Sequence, residues 1–151
     1  MLRKAELARI RPPMATTVHT DTEPMRQRER RPLRVLVADD ERDTVLTLTE
    51  LLREERHEVH GVYKGTDVMP SLREFDPDVV LLDIAMPEMS GWEVARKIRQ
   101  VCGQERPLLI AISGVYKQSA DQILGKLAGF NYYLAKPYDP SVLVTLLRDA
   151  Q

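Results

Sequence analysis

Two apolar stretches of this sequence each end in aspartate. The first, Leu33–Ala38, runs directly into Asp39 and Asp40, and the second, Val79–Leu82, runs directly into Asp83. An apolar stretch without polar alternation is typical of a strand in a parallel sheet that is covered on both faces. The binding crevice of such a sheet lies at the carboxyl ends of its strands, so we expect the three acids to meet there. Clustered carboxylates raise one another's pKa unless a cation neutralises them, and Mg²⁺, a hard cation that prefers oxygen ligands, is the expected partner.

A hydroxyl and an amine follow two further predicted strands. The strand at 107–112 is followed by Ser113, and the strand at 131–134 is followed by Ala135 and Lys136. Three acids, one hydroxyl and one amine at the same edge of a sheet match phosphoryl transfer onto a carboxylate. The metal and the lysine would neutralise the phosphoryl oxygens, the hydroxyl would bond one of them, and a carboxylate would be the nucleophile.

Strand and helix patterns alternate five times from Leu33 onward. This alternation predicts an α/β fold, a doubly wound five-stranded parallel sheet with helices on both faces. Apolar residues at three- and four-residue spacing predict helices that face a core. The strands are predicted at 33–38, 58–62, 78–83, 107–112 and 131–134, and the helices near 42–55, 66–74, 91–101, 117–128 and 140–149.

The charge of the chain is unevenly distributed. Residues 1–31 carry a local net charge of +4 and the remainder −5, within a total of −1 over 151 residues. The first stretch is poor in large apolar groups, so we expect 1–31 to be a disordered basic tail and 32–151 to be the folded domain. The sequence contains no secretory signal and no apolar run that would span a membrane, and it has a single cysteine. These three observations together predict a cytoplasmic protein.

The order and spacing of the motifs resemble the receiver domain of two-component response regulators. The resemblance rests on Asp39-Asp40, on the run from Asp83 to Gly91, on Ser113 and on Lys136-Pro137, and it covers about residues 33–149. It implies a flavodoxin-like, CheY-like (βα)5 fold and a signalling domain that is not an enzyme in the ordinary sense. It also implies a histidine kinase or a histidine phosphotransfer protein as phosphodonor, and a downstream protein as target.

The resemblance assigns a role to each of these residues. Asp83 would accept the phosphoryl group, and Mg²⁺ would be bound by Asp39, Asp40, Asp83 and the backbone carbonyl of Ala85, with Asp40 as a direct ligand. Ser113 and Lys136 would bind the phosphoryl group, and Ser113 and Tyr133 would form the conformational switch. The peptide bond between Lys136 and Pro137 would be cis, which a proline permits at small cost.

Some residues depart from the family's pattern. Gly114 stands where family members usually have alanine, and the side chains of Ala85 and Val115 are apolar at positions that affect how quickly water attacks the aspartyl phosphate. We expect a stand-alone receiver with no DNA-binding domain and no membrane contact, either a monomer or a dimer that forms on phosphorylation. The alternatives are a pseudo-receiver that binds partners without being switched by phosphorylation, and a phosphatase with an aspartyl nucleophile.

Overall fold

The fold is built on five strands, which we describe in a computed structural model. The description covers residues 30–114, 126 and 128–151, and Arg31–Gln151 forms one unit by its internal contacts. The strands are β1 (Arg34–Ala38), β2 (Glu58–Val62), β3 (Val79–Asp83), β4 (Leu108–Ser113) and β5 (Tyr132–Ala135). They lie in the order β2-β1-β3-β4-β5, and every neighbouring pair is parallel. The predicted five-stranded parallel sheet is therefore confirmed.

Four helices connect or follow these strands in the described part of the chain. They are α1 (Arg42–Glu54), α2 (Val68–Phe75), α3 (Gly91–Cys102) and α4 (Pro140–Ala150), and a 3-10 turn at Gly65–Asp67 precedes α2. Their ends differ from the predicted ones by at most two residues. The helix predicted at 117–128 lies outside the described residues except for Lys126 and Ala128, which are both helical. None of the described helices is long and apolar enough to cross a membrane.

Local sequence explains where α3 and α4 begin. The Ser90 hydroxyl accepts a hydrogen bond from the backbone N–H of Glu93, and Asp139 accepts one from the N–H of Ser141. Side chains of this kind satisfy N–H groups that have no partner inside the helix. Pro140 occupies the first position of α4, where its missing N–H costs nothing.

Side chains of the strands contribute to two separate hydrophobic layers, one on each face of the sheet. Leu36 and Leu82 point to the layer under α2 and α3, whereas Val37 and Leu81 point to the layer under α1 and α4. Successive residues of a strand face opposite sides of a sheet, so both faces of the apolar strands are buried. The sheet is doubly wound, as predicted.

The register of the central strands brings the two predicted acidic segments together. Ala38 of β1 is paired with Leu82 of β3, so Asp39 follows its strand next to Asp83. Asp83 is paired with Ile112 of β4, one residue before Ser113. The carboxyl ends of three adjacent strands therefore meet at one edge of the sheet.

Candidate functional site

Three carboxylates form a tight cluster at this edge of the sheet. One carboxylate oxygen from each of Asp39, Asp40 and Asp83 lies within 4.8 Å of the other two. Asp39 and Asp83 are buried, and Asp40 is exposed. The structure thus brings together the three acids that the sequence placed at strand ends.

Close packing between β3 and the start of α3 fixes the backbone of Asp83. The N–H of Gly91 donates a hydrogen bond to the carbonyl of Ile84 at 2.9 Å. A Cβ added to Gly91 would lie only 2.5 Å from the carbonyl oxygen of Asp83. Glycine is needed here because the helix begins directly against the strand that carries the acid.

Both carboxylate oxygens of Asp39 already have partners. Oδ1 accepts a hydrogen bond from the N–H of Glu41 at 2.9 Å, and Oδ2 accepts one from Nζ of Lys136 at 3.2 Å. Among the described residues, no hydrogen bond to the carboxylate of Asp40 is present. Asp40 can therefore offer its oxygens directly to a cation, whereas Asp39 is better placed to act through a water molecule.

Asp83 lies in an environment that disfavours its charge. Burial, followed by the negative charge of Asp39, raises the pKa of Asp83 from 3.8 to about 6. Lys136 and a hydrogen bond of 3.2 Å from the N–H of Ala85 act in the opposite direction, while Asp40 adds a small further increase. One lysine does not offset the neighbouring acids, so a bound cation would relieve the repulsion.

The donor set suits a magnesium ion. It consists of carboxylate oxygens on a partly exposed edge, and Mg²⁺ binds oxygen ligands while it keeps several waters. The side chain of Asp40 and that of Asp83 are the expected protein ligands. The main chain of Ala85 lies two residues beyond Asp83, and Ala85 is exposed.

Ser113 and Lys136 lie together at the ends of β4 and β5. The N–H of Lys136 donates to the carbonyl of Ser113 at 3.0 Å, and Ser113 is buried with 1 % exposure. The peptide bond between Lys136 and Pro137 is cis. A Cβ added to Gly114 would be 3.5 Å from Cβ of Lys136, an ordinary contact, so alanine would fit at this departure from the family's pattern.

Tyr133 occupies the middle of β5. It is half-buried against the layer under α2 and α3, and it is paired with Ala111, two residues before Ser113. The segment between Gly114 and Lys126, in which the sequence predicts the neighbouring helix, lies outside the described residues. The predicted link between Ser113 and Tyr133 therefore stays a prediction.

Tyr138 lies near enough to Asp39 to be affected by its charge, and the sequence did not indicate it as a residue of the site. Its ring is half-buried against the layer under α1 and α4. Burial, with a further contribution from the charge of Asp39, raises the pKa of the Tyr138 phenol. The only available signal was its place directly after Lys136-Pro137, which does not distinguish a residue beside the site from a residue of the core.

Comparison with known proteins agrees with this geometry. The pattern of the family described as response regulator receiver domain matches residues 35–148. The DNA-binding response regulators MtrA of Mycolicibacterium paratuberculosis and of Mycobacterium tuberculosis are each 35 % identical to the chain over 115 residues. That alignment covers 76 % of this chain and 49 % of each relative, so the chain spans about half the length of the curated relatives it matches.

Solved structures share the fold. The chemotaxis response regulator CheY4 of Vibrio cholerae superposes with a TM-score of 0.73 at 21 % identity, over 80 % of this chain and 100 % of that one. The signal receiver domain of a response regulator from Bermanella marisrubri superposes with a TM-score of 0.71 at 28 % identity, over 80 % and 98 % of the two chains. These neighbours confirm the predicted flavodoxin-like, CheY-like fold.

Proposed function

The chain belongs to the response regulator receiver family, and from that premise we propose that Asp83 accepts a phosphoryl group from a histidine kinase or a histidine phosphotransfer protein. The observation that carries the proposal is the position of Asp83, buried at the end of β3 within 4.8 Å of the carboxylates of Asp39 and Asp40. A carboxylate with a raised pKa beside like charges is typical of a functional site. Receiver domains act as signalling domains, and the reaction that we propose is the phosphorylation of the domain itself.

Each residue of the site would have a separate role in phosphoryl transfer. Mg²⁺ would be held by Asp40, Asp83 and the backbone carbonyl of Ala85, with Asp39 acting through water, and the ion would supply positive charge to the carboxylates and the phosphoryl oxygens. An oxygen of Asp83 attacks phosphorus as the P–N bond to the donor histidine breaks, and the electron pair of that bond returns to the imidazole. Lys136, now bonded to Asp39 at 3.2 Å, donates to a phosphoryl oxygen.

Phosphorylation by a small donor tests the assignment. We expect acetyl phosphate with Mg²⁺ to add one phosphoryl group to the protein, as measured by intact mass, and to add none when EDTA removes the metal. Asp83→Asn should remain unmodified, and the matched control Asp78→Asn should be modified like the wild type. Full modification of Asp83→Asn would refute the assignment. Absence of modification in the wild type would favour a pseudo-receiver, and turnover of an unrelated phosphomonoester would favour a phosphatase.

We propose further that Ser113 and Tyr133 move when Asp83 is phosphorylated and that their movement changes a partner-binding surface. The Ser113 hydroxyl, at the end of the strand next to β3, would be drawn towards the charged phosphoryl oxygens. Tyr133 on the adjacent strand would then change rotamer and alter the surface made by β5 and α4, where a downstream protein would bind. The phosphoryl group would act by raising the population of a minor conformation.

Amide exchange tests this switch. Phosphorylation should change the exchange of residues 114–128 and of the amides near Tyr133 in the wild type. The change should be much smaller in Ser113→Ala, which loses only the hydroxyl. Equal changes in the two proteins would show that the hydroxyl is not the trigger.

A further inference from the structure

Arg99, in the last turn of α3, is a charged side chain with only 6 % exposure. Its guanidinium donates four hydrogen bonds to neutral oxygens. Nε bonds the carbonyl of Gly129 at 2.9 Å, and Nη1 bonds the carbonyls of Gly103 at 3.3 Å and Pro107 at 2.9 Å. Nη2 bonds the side-chain carbonyl of Asn131 at 2.8 Å. A buried charge is costly unless its donors are satisfied, so this set of bonds fixes the guanidinium in one place.

The acceptors of Arg99 belong to three separate segments of the chain. Gly103 follows α3, Pro107 precedes β4, and Gly129 and Asn131 precede β5. The same Asn131 oxygen also accepts the N–H of Leu109 at 2.8 Å, and the N–H of Asn131 donates to the carbonyl of Leu109 at 2.8 Å. Arg99 thus joins the amino ends of β4 and β5 to the end of α3.

The chain leading into β5 is shaped around this side chain. Gly129 has a φ of +108°, and a Cβ added to it would overlap Cγ of Arg99. The conformation and the close approach both call for glycine. The path into β5 therefore depends on where Arg99 lies.

In the described part of the chain, hydrogen bonds to other segments hold both ends of β5, and Tyr133 and Leu134 pack against the two hydrophobic layers. β5 is an edge strand of four residues that pairs only with β4, and none of its residues is fully buried. At its carboxyl end the N–H of Lys136 bonds the carbonyl of Ser113, and the Lys136 amine reaches Asp39. At its amino end, Arg99 and Asn131 make the side-chain hydrogen bonds described above, and Phe130 is buried in the layer under α2 and α3.

We infer that Arg99 is a positioning residue for Lys136, acting by fixing the start of the strand that carries the lysine into the phosphoryl site. The same helix begins at Gly91 against the backbone of Asp83, so α3 sets the phosphoacceptor at one end and the strand of Lys136 at the other. Small displacements of a group that stabilises a transition state reduce rates strongly. The inference rests on the proposed function, because it concerns the role that Lys136 has there.

A double-mutant cycle tests whether Arg99 acts through Lys136. The variants are Arg99→Met, which keeps the apolar stem and removes the donors, Lys136→Met, and the two combined. The measurement is the rate constant of phosphorylation by acetyl phosphate at saturating Mg²⁺. We expect Arg99→Met to lower it by about tenfold when Lys136 is present, and by less than about twofold in the Lys136→Met background. The same fold-reduction in both backgrounds, or no reduction in the first, would overturn the inference.

Amide exchange at Lys136 gives a second reading that does not depend on activity. If Arg99 positions β5, Arg99→Met should increase exchange of the Lys136 amide, which bonds Ser113, as well as exchange near Gly103. A role confined to the end of α3 would leave the Lys136 amide protected. Arg96→Met, on the exposed side of the same helix, is the matched control. It should change neither the exchange of the Lys136 amide nor the exchange near Gly103.

A milder pair of variants keeps the test informative if Arg99→Met does not fold. Arg99→Lys keeps the charge but loses the planar fork, and Asn131→Ala removes one acceptor while it leaves Arg99 in place. Either should give a smaller reduction that again disappears in the Lys136→Met background, and additivity in both would overturn the inference. Failure of the wild type to be phosphorylated would instead refute the proposed function, so the two failures are distinct.

Discussion

The strand β3 has an aspartate at each end, and the two aspartates lie in opposite surroundings. Asp78, just before the strand, accepts bonds from the guanidinium groups of Arg31 at 2.6 Å and Arg106 at 3.1 Å, and from the N–H of Arg34 at 2.9 Å. Asp83, the last residue of the strand, accepts one bond from Ala85 and lies among two other acids. The same residue type is neutralised by basic groups at one end of the strand and lies among like charges at the other.

This difference separates a structural acid from a chemical one. At the amino edge of the sheet the chain supplies the counter-charges, so nothing further has to bind. At the carboxyl edge the chain tolerates a repulsive cluster, which is a cost that a folded protein retains where function requires it.

The largest expected effect is a change of opposite sign when each aspartate is made neutral. Asp83→Asn should stabilise the metal-free protein near pH 7.5 by up to about 3 kcal/mol, since a pKa raised from 3.8 to about 6 makes the ionised form unfavourable in the fold. Asp78→Asn should destabilise it by about 1 kcal/mol, because partly exposed charged bonds are lost. Chemical denaturation in EDTA measures both free energies of unfolding.

The pH dependence gives the sign of the Asp83 effect. Its folded-state pKa is raised, so the penalty is full above about pH 6 and disappears as the pH falls below 3.8, where both states are protonated. The advantage of Asp83→Asn should shrink over the same interval. Asp76→Asn, at an exposed position after α2, is the control and should change little. An advantage that does not vary with pH would show that Asp83 carries no electrostatic cost.

The next effect is on metal affinity and is confined to the carboxyl edge. Asp40→Ala should weaken Mg²⁺ binding by about 100-fold and Asp39→Ala by about tenfold, because a direct ligand matters more than one that acts through water. Titration calorimetry gives the affinities. Asp78→Ala should leave the affinity unchanged, since that acid already has two guanidinium partners. Equal affinities in the wild type and Asp40→Ala would exclude this site.

The carboxyl edge could be predicted from sequence far better than the amino edge. Asp39, Asp40 and Asp83 follow uninterrupted apolar runs, and parallel strands must bring such residues together. Asp78 lies just before a strand, where aspartate is an ordinary turn residue. Its partners Arg31 and Arg106 are 47 and 28 residues away in the chain, and no pattern in the sequence pairs them.

Side-chain contacts that join separate helices and strands could not be predicted from the sequence either. Arg99 falls in the last turn of α3, where a basic residue favours the helix dipole, and nothing in the pattern shows that it is buried. The bond between Lys136 and Asp39 joins residues 97 positions apart, and the sequence placed both at one edge without saying which acid the lysine would bond. The helix predicted near 66–74 begins two residues too early, because the residues of the 3-10 turn at Gly65–Asp67, which precedes α2, fit either kind of helix.

A smaller effect is expected at the amino edge when the pH falls. His57 is buried there, and its Nδ1 accepts the N–H of Leu33 at 3.1 Å. Burial lowers the pKa of His57, partly offset by the charge of Glu55. Neutral His57 therefore contributes stability above its ordinary pKa of 6.5 that is lost as the pH decreases below it, opposite in sign to Asp83.

Comparison with His57→Gln isolates this contribution. The glutamine carbonyl can accept the same N–H and does not titrate. We expect the wild type to lose about 1 kcal/mol relative to His57→Gln as the pH falls well below 6.5, the size of one hydrogen bond. His60→Gln, on the exposed side of β2, serves as the control. A constant difference between wild type and His57→Gln at all pH values would contradict the prediction.

The smallest effect is expected when the chain is shortened to begin at Pro32. The truncation removes Arg31, whose side chain is 68 % exposed while it bonds Asp78, and whose carbonyl accepts a bond from Gln151 at 2.7 Å. An exposed ion pair contributes about 0–1 kcal/mol, and Arg106 and the N–H of Arg34 still bond Asp78. The free energy of unfolding should therefore fall by less than about 1 kcal/mol, with the rate of phosphorylation unchanged.

Arg31→Ala in the full chain separates the loss of this guanidinium from the loss of residues 1–30. A truncated protein that is much less stable than Arg31→Ala would show that residues 1–31 stabilise the domain by more than the Arg31 guanidinium.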